Sequence, residues 1–421
     1  MNAVTLDIAP ATPPTIAGLF PSNVRMSARL TDRDAYAAAA YAILPVLRRH
    51  SAAAALQRRP VDAVVEALIE AGLVNAMRPR SYGGAGLELS EMVEIGAILA
   101  EGCASTAWVW VVWEVHNWMI GMLDKPGQDA VFGAHPVVLC CGASNPSKAQ
   151  ARAVEGGFMV QGRWAFGSGS THANWASIFA IIAGQEMDGR PDVRMMLVPR
   201  PEFTVEDAWN TMALAGTGSH DIVIAQEVFV PVERSAMRKD IAGGTGPGAK
   251  LHAETASYAM PLPPGAHLAT GASAIGLAKA TLQGFVDLTK SRTHVTGKKQ
   301  IDVPASAIRI GKGMVDIDAA RMLLVGTLRE LEAELRAGRA LTTQQRAKAR
   351  MVAGYVPDLC KQVVESVVSA SGAAGMFAGS RFAEALLDVN MMSLHQSTEY
   401  DRGPENYGRV VLGLEPSNIA I

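Results

Sequence analysis

Cysteine is scarce: four in 421 residues, at Cys103, Cys140, Cys141 and Cys360, with no Cys-x-x-Cys pair and no zinc-ligand spacing to a histidine. That pattern argues against a disulfide framework and a metal site, and predicts reduced core thiols in a cytoplasmic protein. An excess of either charge is also missing. Lysine plus arginine number 38 against 40 acidic residues, so neither nucleic acid nor an anionic membrane is expected as the main partner. No apolar run is clean enough to span a bilayer, because the most apolar window, Gly102 to Leu123, carries Glu114, His116 and Asn117 at its centre; it predicts a buried helix. The N-terminus has Pro10, Pro13 and Pro14 in place of a basic start and apolar run, which predicts a tail and not a signal peptide. Finally, Gly244-Thr245-Gly246-Pro247-Gly248 follows no apolar strand, opens no helix and lacks the lysine-serine/threonine pair of a phosphate loop. It is expected to be a flexible link, leaving no obvious place for a nicotinamide cofactor.

What is present is a chain that is 49% hydrophobic, enough for a large core and two or three domains or one large composite unit. A tail over 1–30 is followed by apolar residues recurring at three and four, with alanine-rich stretches, over 31–135; this predicts a helical domain. It is interrupted by the turn-rich run Pro79 to Gly86, after which Ser90 and Glu91 look like a helix start. Over 136–235 the pattern changes to short β-branched runs bounded by glycine and proline, Phe158 to Val160, Ile178 to Ile182, Met195 to Val198 and Asp221 to Val230. These predict a compact antiparallel barrel or sandwich. A linker over 236–265 leads to helical periodicity within 266–421, over Ala266 to Ile301, Ser306 to Ala337, Thr342 to Ser371 and Arg381 to Asp401. The expected class is α+β with segregated layers: helices, strands, then a helix bundle.

Three stretches could carry chemistry. In Gly162 to Trp175 a strand of period two puts Trp164, Phe166 and Ser168 on one face, two aromatic walls leading to a hydroxyl at Gly167-Ser168-Gly169; a Trp/Phe core strand with an ordinary turn is the alternative. All seven tryptophans lie between Trp108 and Trp209, and Trp108, Trp110, Trp113 and Trp118 crowd one helix. There His116 shares a face with Trp113 and Val112, either in an aromatic pocket with a neutral imidazole or as a core histidine on a backbone carbonyl. Trp209 with Gly216-Thr217-Gly218-Ser219 offers amides and hydroxyls to an anion or ring carbonyl. Near the C-terminus His395 and Glu399 stand four apart on an expected helix, so the carboxylate could orient the imidazole as a base, or the two form a solvated pair.

Together these pieces resemble the acyl-CoA dehydrogenase superfamily from about Ala35 to Leu414, and within it the two-component monooxygenases that take reduced flavin from a separate reductase. Pro79 to Gly86 is similar to the superfamily's Pro-x-x-Tyr-Gly-Gly-x-Gly signature. Ser105 to Val109 with His116-Asn117-Trp118 is similar to the helix that supplies a substrate-side histidine, and Trp164 to Gly169 to the strand whose serine bonds flavin N5. Trp209 with Gly216 to Ser219 is similar to the elements that hold the isoalloxazine ring, and Arg292 to an arginine extended to a flavin phosphate, often across a subunit boundary. Tyr407-Gly408-Arg409 resembles the terminal segment, and His395 falls where the branch places a catalytic histidine.

The resemblance implies an N-terminal helical domain, a central β-barrel or sandwich and a C-terminal four-helix bundle, assembled as a homotetramer. It implies reduced FMN or FAD supplied by a separate NAD(P)H-flavin reductase, with O2 as co-substrate and a flavin hydroperoxide oxygenating a small aromatic substrate. His395, His116 and Ser168 become the expected catalytic residues. Trp164, Phe166, Ser168, Trp209, Thr217, Ser219 and Arg292 are the expected flavin contacts, and Trp113, Trp118, His116 and His395 the substrate pocket. N- or S-oxygenation on the same fold, a dehydrogenase or oxidase with bound FAD, and a flavin-binding scaffold are the alternatives. Two departures stand out. Ala213-Leu214-Ala215 replaces a Gly-Leu-Arg common among relatives, and the segment that carries the base in many acyl-CoA dehydrogenases is missing.

Overall fold

Asp32 starts the first helix: its carboxylate accepts the amides of Asp34 and Ala35, opening α1 (Arg33–Gln57), which ends where Arg58 turns left-handed at φ 51°. The computed structural model describes Thr15–Ile16, Met26 and residues 29–133, 135–146 and 148–417, so most of the expected tail lies outside the described residues. Helices α2 (Asp62–Glu70), α3 (Leu89–Ala100), α4 (Ala104–Gly121) and α5 (Lys125–Phe132) complete the leading layer. At the Pro79–Gly86 break a single turn, Arg80–Tyr82, closes on Gly83 at φ 85°. A Cβ on Gly84 would lie 2.1 Å from the Arg78 carbonyl oxygen, so only glycine fits there. The helix start expected at Ser90 and Glu91 falls at Leu89, where Glu91 accepts the Glu88 amide at 2.9 Å in a capping box, and Ser90 gives its amide and hydroxyl to the buried Glu332 carboxylate at 2.8 and 2.6 Å.

The strands are β1 (Thr15–Ile16), β2 (Cys140–Ala143), β3 (Ala149–Val154), β4 (Gly157–Gly167), β5 (Trp175–Met187), β6 (Arg190–Pro199), β7 (Thr204–Glu206), β8 (His220–Pro231) and β9 (Ser235–Met237). The run β1-β7-β8-β4-β3 is antiparallel, as is β5-β6-β9. The expected all-antiparallel layer is corrected at two places. β2 runs parallel to β5, and β3 meets β5 in parallel at Ala151–Ile182, closing the two runs on each other. The β3–β4 hairpin lies between β2 and β5 in the chain and supplies the crossover that a parallel pair needs. Inward residues of both runs, among them Phe158, Val160, Trp164, Ile178, Met196 and Ile222, form a core of their own.

After β9 the chain forms α6 (Arg238–Gly243) and α7 (Gly248–Leu251). The expected flexible link is thus packed: a Cβ on Gly248 would lie 1.9 Å from Gly121 O, and one on Gly246 2.5 Å from Met122 O. These glycines let the connector press onto the end of α4. The last part holds α8 (Leu262–Ala269), α9 (Ala272–Ser291), α10 (Pro304–Arg336), α11 (Thr343–Ala370), α12 (Arg381–Ser393) and α13 (Arg402–Val411), with α9, α10, α12 and α13 packed against α11. The expected helix over 381–401 stops at Ser393. There Arg350, buried on α11, donates to the carbonyls of Gln396, Ser397 and Glu399 and holds them out of helical register. Helix α4 lies between α3, α9 and β2; buried nearly all round, it shows no apolar stripe in sequence.

Candidate active site

One side of α4 is less closely packed than the rest. Val112 and His116 are its only half-buried residues, and Trp108 lies one turn before them on the same face. His116 Nδ1 lies 2.7 Å from Val112 O; a carbonyl only accepts, so the ring proton is on Nδ1 and Nε2 carries a bare lone pair. Nε2 faces β2, where a Cβ on Gly142 would come within 2.1 Å of it. Burial pushes this imidazole's pKa down to about 4, so it is neutral and an acceptor at physiological pH.

Facing α4 is the end of β4. Between Trp164↔Ile222 and Gly167↔His220 the β4 strand advances three residues while β8 advances two. This is a bulge with one extra residue, and Phe166 sits in it at φ 67°. The bulge overturns the expected single face. Trp164 points into the barrel core, 1% exposed, and donates from Nε1 to Phe179 O at 2.9 Å, while Phe166 is 71% exposed. Phe166 instead meets Trp209 edge to face, 6.0 Å between centroids. A bulky residue held left-handed and exposed is strained, and such strain concentrates at functional positions. Next come Ser168, buried, and Gly169 at φ 71°; a Cβ on Gly169 would lie 2.6 Å from Trp113 Nε1, an indole N–H with no partner among the described residues.

Behind Ser168 stands the Leu214–Ser219 turn. Ser168 Oγ lies 2.7 Å from Ser219 Oγ, which lies 2.8 Å from Thr217 Oγ1, which donates at 2.8 Å to Leu214 O. Trp209 Nε1 and the Thr217 amide donate to the same carbonyl at 3.0 Å each. Leu214 is itself left-handed at φ 47°, and Asp388 on α12 accepts its amide at 2.6 Å. Burial raises the Asp388 pKa to about 6. Ala215 beside it lines, with Ser51, Ser105, Met212, Glu384 and Asp388, a small cleft between α1, α4 and α12. Arg58 donates to Trp209 O, and the Trp209 amide donates to His220 Nδ1, so the backbone of Trp209 is fixed on both sides.

His395 lies beyond the end of α12, its ring 5.3 Å from that of Trp108 at 75°. The expected carboxylate partner is corrected: Glu399 pairs with Arg402 at 3.0 Å, and His395 Nδ1 instead accepts the Ser397 amide at 3.2 Å. The neutral ring therefore carries its proton on Nε2. Packing against Trp108 strips solvent from the ring and pushes its pKa down, while the residue as a whole stays exposed.

The remaining expected residues are elsewhere. Trp118 is fully buried in the helical core, giving Nε1–H to Ser257 O at 2.6 Å. Arg292 caps α9 and donates to Ser371 O at 2.8 Å at the end of α11. Four contributors escaped sequence reasoning: Asp388, Arg350, Arg58 and His220, each of which fixes backbone from a distant part of the chain.

Residues 33–131 match the acyl-CoA dehydrogenase N-terminal domain, and residues 268–400 the acyl-CoA dehydrogenase C-terminal domain. The chain belongs to the acyl-CoA dehydrogenase family. A family relative, the FADH(2)-dependent resorcinol hydroxylase oxygenase component of Rhizobium sp. (strain MTP-10005), is 30% identical over 85% of this chain and 89% of its own. The p-hydroxyphenylacetate 3-hydroxylase oxygenase component of Acinetobacter baumannii is 26% identical over 89% and 88%. Among solved structures, 3-HSA hydroxylase from Rhodococcus sp. RHA1 superposes with a TM-score of 0.85 at 28% identity, covering 93% of this chain and 100% of that one. XiaF from Streptomyces sp., solved with FADH2 and glycerol, shares the fold at a TM-score of 0.83, 24% identity and 92% and 98% coverage. Within the family these relatives belong to the flavin-dependent oxygenase branch, as the sequence resemblance implied.

Proposed function

We propose that this chain is the oxygenase component of a two-component flavin monooxygenase acting on a small aromatic substrate. The observation that carries the proposal is the corner built by the β4 bulge: a buried hydroxyl at Ser168, an indole N–H at Trp113 with no partner among the described residues, and an exposed Phe166 ring set edge to face on the half-buried Trp209. A flat apolar ring with polar edges fits such a corner, where an indole N–H and a hydroxyl oxygen meet the polar rim that a flavin ring presents. Bound there, reduced FMN or FAD supplies the activation of O2 and the transfer of one oxygen atom. The protein's own work is to orient and to keep water out. Phe166 and Trp209 take the faces and edges of the ring, Ser168 and Trp113 its polar rim.

On the substrate side, His116 Nε2 accepts a hydrogen bond from a substrate hydroxyl and His395 Nε2–H donates one. This reverses the expected roles, since His395 has no carboxylate behind it and its Nδ1 is occupied by an amide. Trp108, beside His395 and one turn from Val112, takes the wall expected of Trp118. Arg292 gives only one nitrogen to Ser371 O, which leaves the rest of its five-donor fork for a flavin phosphate. The relatives' description as oxygenase components supports a separate NAD(P)H-flavin reductase as partner. Four buried, free cysteines fit a reducing compartment such as the cytoplasm, and among the described residues no helix is long and apolar enough to cross a membrane. An apolar stripe on α10, Ile308, Val315 and Met322 at seven-residue spacing and each more than two-thirds exposed, supports assembly of copies through the bundle, as in a homotetramer.

The test is Ser168→Ala, with chemically reduced flavin and a panel of phenols. The expected result is more hydrogen peroxide per product at unchanged protein stability. Unchanged coupling removes Ser168 from the site, and oxygen uptake no faster than that of free reduced flavin with any substrate overturns the activity.

A further inference from the structure

We infer that the hydroxyl chain behind Ser168 is polarised in one direction and thereby makes the site select the reduced over the oxidised flavin ring. The inference rests on the flavin-binding reading above and names the residues that set its redox preference. A serine or threonine hydroxyl has one proton and two lone pairs. Leu214 O can only accept, so the Thr217 proton is committed to it at 2.8 Å. Ser219, 2.8 Å from Thr217 Oγ1, must then be the donor of that pair. With its only proton used, Ser219 accepts from Ser168 at 2.7 Å. Thr217, Ser219 and Ser168 are 1%, 5% and 7% exposed, so water is kept from rescuing a reversed order. Ser168 consequently presents lone pairs and no proton to whatever lies in the corner.

The anchor of the chain is fixed from three sides. Leu214 O also receives Trp209 Nε1–H and the Thr217 amide at 3.0 Å, and the left-handed Leu214 is held by the Asp388 carboxylate on α12. Turning the Thr217 proton away would set its oxygen against the Leu214 carbonyl oxygen at 2.8 Å with no hydrogen between them, and would force three hydroxyls to rotate together. A reduced isoalloxazine has an N–H at its central ring nitrogen, and an oxidised one has only a lone pair there. A hydroxyl that can only accept bonds the first and repels the second. Thr217 and Ser219 are thus positioning residues, acting through Ser168 without touching the ring.

The experiment measures dissociation constants of FMN and FAD, each oxidised and each reduced anaerobically, by quenching of tryptophan fluorescence in the full chain. Wild type is expected to prefer the reduced form. Thr217→Val frees the Ser219 proton to point at Ser168, and Ser168 to donate outward, so the oxidised-to-reduced ratio should fall roughly five- to tenfold, the size of one hydrogen bond. Thr217→Ser, which keeps the hydroxyl, should restore it. Ser219→Ala, which breaks the chain at its middle, should lower the ratio as Thr217→Val does and serves if that variant does not fold. Equal weakening of both redox forms in Thr217→Val and Ser219→Ala, with the ratio unchanged, overturns the relay and leaves flavin binding standing. A wild type that binds both forms equally does the same. A wild type that binds neither form overturns the flavin reading and this inference together.

Discussion

Phe166→Gly separates what the fold needs at the β4 bulge from what a flavin would need there. At φ 67°, a residue with a side chain is roughly 1–2 kcal/mol above its ordinary backbone basins, and glycine relieves that. Against this stand the lost edge contact with Trp209, about 0.5–1.5 kcal/mol, and the greater freedom of glycine in the unfolded chain, about 0.4–1 kcal/mol. The ring is 71% exposed, so little burial is lost, and the sum falls within about 1.5 kcal/mol of zero. A buried phenylalanine would instead cost roughly 3–5 kcal/mol on removal. The fold should therefore tolerate the change in urea denaturation followed by circular dichroism. Reduced FMN or FAD, losing one aromatic contact, should bind roughly tenfold more weakly. A destabilisation above about 3 kcal/mol would show that Phe166 is a packing residue, and an unchanged flavin affinity would show that the strained ring serves no ligand.

Trp118→Phe is expected to cost roughly 1–3 kcal/mol, because it leaves the buried Ser257 carbonyl without the donor now 2.6 Å away; flavin affinity and coupling should not move, and a change in either would return Trp118 to the pocket. Glu114, 1% exposed, accepts the amides of Asn75 and Met77 at 2.9 and 2.8 Å, and burial raises its pKa to about 7. A carboxyl whose folded pKa lies above its unfolded value stabilises fully below the unfolded pKa and loses that contribution as pH rises through the folded one. Relative to Glu114→Gln, wild type should thus lose on the order of 3 kcal/mol between pH 4.5 and 7.5, measured as the difference between the two denaturation midpoints at each pH. A difference that stays flat with pH sinks the assignment. On α10, Ile308→Glu with Val315→Glu should convert assembled protein to smaller species in sedimentation without loss of helix; an unchanged sedimentation coefficient would mean that this face is not an interface.

The elements were readable where local rules decide them, and the site was not, because its parts are set by long-range geometry. Alanine-rich runs capped by Asp32, the turn signals from Pro79 to Gly86 and the β-branched runs inside β4, β5, β6 and β8 all fall where intrinsic preference and burial agree. The period-two argument failed at one residue. A single extra position between Trp164 and Gly167 sends Trp164 into the barrel and Phe166 outward, and no local pattern announces a bulge whose cause is the partner strand. The helix expected over 381–401 failed for the same kind of reason: Arg350, more than forty residues earlier, takes the carbonyls that would have continued it. That interruption gives His395 its place and its tautomer, since the turn brings the Ser397 amide onto Nδ1. Asp388 does likewise for Leu214 across more than 170 residues of chain, fixing the carbonyl on which the whole hydroxyl series ends. The proposed chemistry rests on ordinary side chains, two histidines and a serine, whose proton positions are set through backbone groups. At His395 and Ser168 those backbone groups are in turn held by charged residues, Arg350 and Asp388, from distant parts of the chain, so the direction in which these two site protons point is a property of the tertiary fold, and no motif of a few residues encodes it.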